Sequence, residues 1–431
     1  MPSSHPLPLS CHWFSALATA LDPRSAPRLA WPFVGVVLAR GRRTVTNWIR
    51  AAGLSAEYRP CYTAVAAAGS RPDRLAARLL REVVKPLVAD ASRLTFALDD
   101  TPTERYGRKV QGAGVHHNPT PGPPAGPGVY GHVWVVLGLL ARHTAWGVIA
   151  LPLLARLYVR EKNLPAIPTK HRPVFRTKLE LAAELVRWAV SWLGHLGKPV
   201  WVVADGAYAK APFLKAMRTL AVTVVSRLRK DSALWTVPGP RAPHRWGPNR
   251  VYGERRIDLA KRARQTRGWA TGTFDLYGKP TEKRYKTFVA TWCPAGGAIR
   301  VVLVDEPKGW VAFFCTDPDA TVADILTSVA GRFSLEITFR DVKEVVGAGQ
   351  QQVRFLRASV GAFHMCLWAF TMTEAWAWKR DEKELAGHRS ASPWDDTTRR
   401  PSHADKRRAW RRELLGNEIR AALRTGLCMV K

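Results

Sequence analysis

Arg332, Glu336 and Lys343 stand in the order R-x-x-x-E-x-x-x-x-x-x-K within the segment GRFSLEITFRDVKEVVG. At about 100° per residue, offsets of −4, 0 and +7 from Glu336 fall within roughly 40° of one another, so one helix face would carry an acid flanked by two cations. Such a face suits metal and phosphate. The alternative is a surface helix in which Glu336 pairs only with its neighbours. Two other acids bear on the choice: Asp99 closes the apolar run LTFAL and Asp205 closes PVWVVA, and each run has the length and Val/Leu/Trp/Phe content of a buried strand. In parallel sheets catalytic groups collect where strands end at their carboxyl edge, so three carboxylates distant in sequence are expected to meet.

Magnesium is a hard ion that takes carboxylate oxygens and keeps waters, so two or three Asp or Glu side chains with a substrate phosphate suffice to bind it. Two such ions roughly 4 Å apart can activate an attacking water or 3′-hydroxyl and stabilise the leaving oxygen of an in-line displacement. A site of that kind both cuts and joins. His116 and His117 invite a zinc reading, but adjacent histidines need two further ligands, and a polar loop is the expectation there.

The elements that must position these groups are readable in outline. Residues 1–90 are expected to be helical and basic; RTVTNWIRAAGL places Val45, Trp48, Ile49 and Ala52 on one face and leaves Arg42, Arg43 and Arg50 for water or phosphate. From 91 the pattern turns to strands: LTFALD, then the turn-laden HNPTPGPPAGPG, then VYGHVWVVLGLLAR and WGVIALPLL. A helix follows over 177–194 with Leu179, Ala182, Ala183, Val186 and Val190 on its stripe and Gly194 at its stop, then a strand at 200–204, a helix at 208–219 and a strand at 221–226. The order β-β-β-α-β-α-β describes a mixed sheet in which the first and fourth strands lie side by side and bring Asp99 near Asp205. It is the order of a ribonuclease-H-like α/β fold. The division reads as a helical, basic region (1–90) whose helices either read DNA or simply pack, a part carrying Asp99 and Asp205 (91–230), a β-rich insertion (231–318), a part carrying Glu336 (319–380) and a basic tail (381–431). Asp317 or Asp319 is the expected cap of the helix holding Glu336, and residues 355–379 form an aromatic-rich helix covering the sheet.

With 66 Lys and Arg against 34 Asp and Glu, a formal charge of +32 spread over 431 residues points to a polyanionic partner, nucleic acid first. A hydrophobic content of 46% excludes a disordered tail. The six cysteines form no C-x-x-C pair, which fits a reducing cytoplasm. WFSALATAL has the length of a signal-peptide core, but no Lys or Arg precedes it and no export is expected. Arg142, His143 and Arg156 interrupt the apolar stretch 129–159, and His364 and Glu374 interrupt 353–378, so buried sheet and core helix are expected rather than membrane spans. Of Trp235, Trp246, Trp269 and Trp292 in the insertion, an exposed one could stack on an unpaired base; core positions are the commoner use.

On these residues the chain resembles a known family. WVAFFCTDPDATVADILTSVAGRFSLEITFRDVKEVVG is similar to the last catalytic segment of DDE transposases of bacterial insertion sequences, where a strand is followed by Y-x-x-R-(W)-x-x-E-x-x-F-x-x-x-K. LTFALDDTPTERYG resembles their first motif, an aspartate two places before a threonine, and VWVVADGAYAKAPFL their second; the likeness spans about residues 91 to 379. The resemblance implies that Asp99, Asp205 and Glu336 bind two Mg²⁺ ions, with Mn²⁺ substituting, and that Arg332 and Lys343 contact the DNA backbone near the cut. It also implies a homodimer acting on double-stranded transposon ends and target DNA in the cytoplasm, on the nucleoid, without a membrane. Val329 stands at the family's tyrosine position and Phe333 at its usual tryptophan. Asp100 adjoins Asp99, so the first acid is open by one residue, with Asp99 preferred for its D-x-T spacing to Thr101.

Overall fold

Alternating apolar runs and amphipathic helices resolve, in a computed structural model describing residues 12–117, 128–240, 246–387, 394–396 and 398–428, into a twelve-stranded mixed sheet flanked by helices. The expected Pro/Gly-rich turn falls mostly outside the described residues, in 118–127. Five helices come first: α1 (His12–Ala18), α2 (Ala26–Leu38), α3 (Val45–Ala51), α4 (Tyr58–Ser70) and α5 (Pro72–Leu79). The signal-like WFSALATAL forms α1, whose Phe14 is fully buried and stacks between Phe33 and Trp410. In α3, Thr44 caps the helix through Asn47 N–H, and Val45, Trp48 and Ile49 are buried as the face pattern expects.

The sheet begins with β1 (Leu94–Glu104), β2 (Gly114–His117), β3 (Gly128–His143) and β4 (Gly147–Tyr158). Then come α6 (Lys178–Leu193), β5 (Val200–Ala204), α7 (Ala211–Thr219) and β6 (Thr223–Leu228). Helix α6 starts on a capping box, Thr177 with Glu180, and Gly194 follows its last residue as expected. Strands β4, β3 and β1 pair antiparallel, while β1, β5 and β6 pair parallel, so the spatial order is β4-β3-β1-β5-β6. This is the ribonuclease-H-like arrangement, with the first strand beside the strand that precedes Asp205. Strand β2 had no signal in the sequence, and His116 and His117 lie on it rather than in a loop.

Between β6 and the next long helix the chain is β-rich: β7 (Leu234–Trp235), β8 (Arg256–Ile257), short α8 (Leu259–Arg264), β9 (Ala270–Leu276), β10 (Lys279–Trp292), β11 (Gly297–Val304) and β12 (Val311–Cys315). Strand β12 pairs with β6, and β11 and β10 follow in order, so this segment extends the main sheet.

Helix α9 (Val322–Asp341) lies on one face of the sheet, burying Ile325, Leu326 and Ala330 against Val203, Val225 and Val302. Its cap is Thr321, whose side chain accepts from Asp324 N–H; Asp317 instead accepts from Asp319 N–H, closing the preceding turn. Large aliphatic side chains contribute about 1.5–3 kcal/mol each on burial, so the face toward the sheet holds α9 in place. Its last residues run into a π-helical turn, Val342–Val346, ended by Gly347 at φ 90°. The aromatic helix α10 (Leu356–Ala377) covers β4: His364 Nε2 accepts from Ala155 N–H, Trp368 Nε1 donates to Leu153 O, and Thr371 donates to Pro152 O. Against its other side α4 crosses at Gly69 and Gly361, where a Cβ would come within 1.8 and 1.9 Å of backbone oxygens. Then follow α11 (Glu382–Ala386) and α12 (His403–Cys428), whose buried Trp410 joins the core. Among the described residues no helix is long and apolar enough to cross a membrane.

Candidate active site

Strand β1 meets β5 in parallel from Leu94–Val200 to Leu98–Ala204. Asp99 and Asp205 are each one residue beyond that last pair, so they emerge side by side at the carboxyl edge of the two strands. They also share a face, because side chains alternate and both have the parity of Val203, which is buried against α9. Strand β1 does not stop at Asp99 as the apolar run suggested; it continues to Glu104 because β3 still pairs with it, Asp99 lying opposite Val136.

Helix α9 brings the other groups to this edge. Arg332 Nη1 donates to Asp99 Oδ2 at 2.5 Å and Nη2 to Glu336 Oε1 at 2.8 Å, so one guanidinium spans both carboxylates. Asp99 Oδ1 also accepts from the Asp100 N–H at 2.8 Å. Asp205 caps the turn Gly206–Tyr208 by accepting from Ala207 N–H at 3.3 Å, which orients it at the mouth of a small cavity of about 170 Å³ that Arg332 also lines. Asp99 is 18% exposed at its side chain and Glu336 43%, a gradient from sheet floor to rim. Burial pushes Asp99 up to about 7 against the pull of Arg332, with Asp100 and Asp205 adding repulsion.

Asp100 faces the other way. Its Oδ2 accepts from Lys178 Nζ at 2.6 Å and its Oδ1 from Tyr208 Oη at 3.1 Å, so it ties α6 to the turn after β5. Neither partner was singled out in the sequence; only the pleat of β1 separates the two adjacent aspartates. Lys343 lies apart from Arg332. Seven residues past Glu336 it is about 10 Å further along the helix axis, in the π-helical turn that follows α9. Half-buried there, Lys343 lines a large groove, its charge nearest Glu104 and Glu344 and its pKa lowered chiefly by burial. Val329 lines the small cavity beside Asp205, and Phe333, 44% exposed, meets Tyr277 edge-on at the tip of the β9–β10 hairpin.

The donor set is that of a hard divalent cation: carboxylates alone, two of them adjacent and partly desolvated, an arrangement relieved by added positive charge. Arg332 supplies such charge between Asp99 and Glu336. Among the described residues no group of three or more His, Cys, Asp or Glu is close enough to hold a metal ion, so Glu336 reaches the pair only if the Arg332 bridge rearranges. His116 and His117 form no such group either; the His116 ring lies 6.0 Å from Tyr158, and burial takes it down to about 4. Of the four insertion tryptophans, Trp292 is core, Trp235 is half-buried on β7, Trp246 is 97% exposed, and Trp269 is packed by Arg284 and Lys286.

No curated protein matches the chain. A family model described as DDE superfamily endonuclease matches residues 21–274, which includes Asp99 and Asp205 and ends before α9. Endonucleases of this kind act on DNA and generally use divalent metals. With more than half its length matched, and a mixed sheet that sets two aspartates at one carboxyl edge, the chain belongs to the DDE superfamily endonucleases and carries nuclease- or transposase-type chemistry.

Proposed function

We propose that the protein is a DNA transposase that binds the terminal inverted repeats of its element, cleaves phosphodiester bonds there and transfers the 3′ ends into target DNA. The observation that carries this reading is the adjacency of Asp99 and Asp205 at the end of the β1–β5 ladder, beneath the α9 face that bears Arg332 and Glu336. Asp99, Asp205 and Glu336 are the proposed ligands of two Mg²⁺ ions, with Mn²⁺ as a substitute. Bound there, the metal would lower the pKa of an attacking water or 3′-hydroxyl and offset charge on the leaving oxygen.

The remaining work falls to the chain itself. Before a cation binds, Arg332 bridges Asp99 and Glu336, and its charge, released from that bridge and joined by that of Lys343, attracts the DNA backbone. Burial of Asp99 beneath α9 excludes water from one side of the scissile phosphate and strengthens each charge interaction there. Residues 1–90 read the element's ends in this scheme, two copies of the chain act on the two ends, and the work is done in the cytoplasm on the nucleoid.

The test is incubation of the purified chain with a duplex of its own element's end and Mg²⁺, alongside Asp205→Ala and Glu336→Ala. Loss of cleavage in both variants with end binding retained is the expected result; cleavage undiminished by either removes the carboxylates from the reaction. Hydrolysis without any joined product would instead make the chain a nuclease that does not transfer strands. End binding without cleavage in the parent chain would make it a retired transposase acting as a DNA-binding protein.

A further inference from the structure

An open groove of about 1710 Å³ runs between the helical N-terminal region, the far end of β1 and the segment joining the π-helical turn to α10. Its charge is one-sided. Arg42, Lys343, Arg354 and Arg357 line it, and among the described residues none of the four has a carboxylate within ion-pair distance. Beneath them Arg105 is buried at 5% exposure; among the described residues it too has no carboxylate partner, and its Nη2 has no hydrogen-bond partner. The acid on the wall, Glu104, accepts from Tyr106 Oη at 2.9 Å and faces the charge of Lys343. A groove with this excess of positive charge calls for a polyanion.

The walls add stacking surfaces. Tyr106 is 82% exposed and Phe355 56%, both in the groove, although large aromatics ordinarily bury their faces. The Arg354 guanidinium lies 4.9 Å from the Phe355 ring centroid on one side. The segment that presents them is held rigid: Arg105 Nη1 donates to Gly349 O and Gln351 O, and Gln351 Nε2 to Arg43 O and Gly347 O. Gln111 clamps its end, donating from its N–H to Arg354 O at 2.8 Å and accepting from Leu356 N–H at 3.0 Å. Buried donors spent on an irregular loop fix its outward-facing side chains before any ligand arrives, which lowers the ordering cost of binding.

Resting on the reading of the Asp99 site given above, we infer that this groove holds an unpaired DNA strand, with phosphates on Lys343, Arg42, Arg354 and Arg357 and bases stacked on Tyr106 and Phe355. A duplex keeps its base faces covered, so exposed aromatics among cations match a single strand. Glu104 lies five residues along β1 from Asp99, about 17 Å at the strand rise, so the groove begins within a few nucleotides of the proposed cut.

The test uses the full chain without divalent metal, with a labelled twelve-nucleotide strand and the corresponding duplex compared by fluorescence anisotropy across salt concentrations. Phe355→Ala and Tyr106→Ala are each expected to weaken strand binding by about 5- to 100-fold, with Phe355→Trp and Tyr106→Phe close to the parent. Arg354→Gln combined with Arg357→Gln should lower the salt slope by about 1.4, because two phosphates are left without a cationic partner. Trp192→Ala, an exposed aromatic on α6, serves as the control, and thermal melts establish that each variant is folded. Unchanged strand binding in the folded groove variants overturns the inference, as does an effect confined to the duplex. Cleavage of an end duplex with Mg²⁺ is scored separately: strand binding that needs Phe355 in a chain that never cuts leaves this inference standing and removes the catalytic one. Cutting without groove-dependent strand binding does the reverse.

Discussion

Asp99 and Asp205 leave the β1–β5 parallel ladder at the same level, each one residue past the Leu98–Ala204 pair, and face α9 together. Asp100, the next residue on β1, is on the opposite side with Lys178 and Tyr208. The two adjacent aspartates therefore have different expected roles, and substitution separates them.

Asp99→Asn should lower Mg²⁺-dependent cleavage by roughly a thousandfold or more, the scale of losing a group that acts directly in phosphoryl displacement. Asp100→Asn retains an oxygen within reach of Tyr208 and loses a partly exposed ion pair worth at most about 1 kcal/mol. Cleavage within about tenfold of the parent is expected. Equal loss in both variants, measured in one gel assay, would make the pleat argument wrong.

Arg332 contacts both Asp99 and Glu336 through separate nitrogens of one rigid planar fork, a spread that a lysine's compact ammonium does not reproduce. Arg332→Lys should cut cleavage about 10- to 100-fold while changing end-DNA affinity less than tenfold. A lysine variant with full activity would show that the bridge has no part in arranging the carboxylates.

Acid should destabilise the fold through its buried histidines. His132 and His364 are both fully buried, and burial takes their pKa down to about 3 and about 4. With folded values below the unfolded value of about 6.5, the unfolded chain takes up protons first as pH falls, so stability drops below about pH 6.5 and continues to drop toward about pH 4. Each histidine contributes up to about 1.4 kcal/mol per pH unit in that window. Glu374, held down to about 2 by Lys406 and His403 against burial, has the opposite folded-state preference but the same outcome, losing its stabilisation only below about 4.5. Denaturant midpoints at about pH 7, 6 and 5 should fall in order; a flat profile would mean these histidines are solvated.

Gly361 crosses Gly69 where a side chain has no room, since a Cβ at Gly361 would lie 1.9 Å from Val65 O. Gly361→Ala must push α4 and α10 apart, at a cost of about 1–3 kcal/mol, and should lower the thermal midpoint. An unchanged midpoint would show that the helices adjust freely.

Much of the fold was legible because it is written in short-range patterns. The runs before Asp99 and Asp205 read as strands, 177–194 reads as a helix ending at Gly194, and the strand order that follows places β1 beside β5. Misreadings arose where a local signal had a nearby competitor. Thr321 caps α9 because its hydroxyl sits three residues before Asp324 N–H, while Asp317 closes a turn with Asp319 instead. Lys343 falls in a π-helical turn that follows Asp341, and nothing in helical periodicity announces such a turn.

By itself, then, the sequence determined which residues could carry metal and phosphate chemistry and which strands would carry them, since side-chain alternation and helical rotation depend only on neighbours. The tertiary structure alone decided that Asp99 rather than Asp100 faces α9, that one guanidinium spans acids as distant in sequence as Asp99 and Glu336, and that Arg42, Tyr106 and Phe355 share a groove. Those relations depend on how the sheet's faces are covered and how a loop is pinned by a buried arginine, and pairings between residues far apart along the chain leave no periodic trace in it.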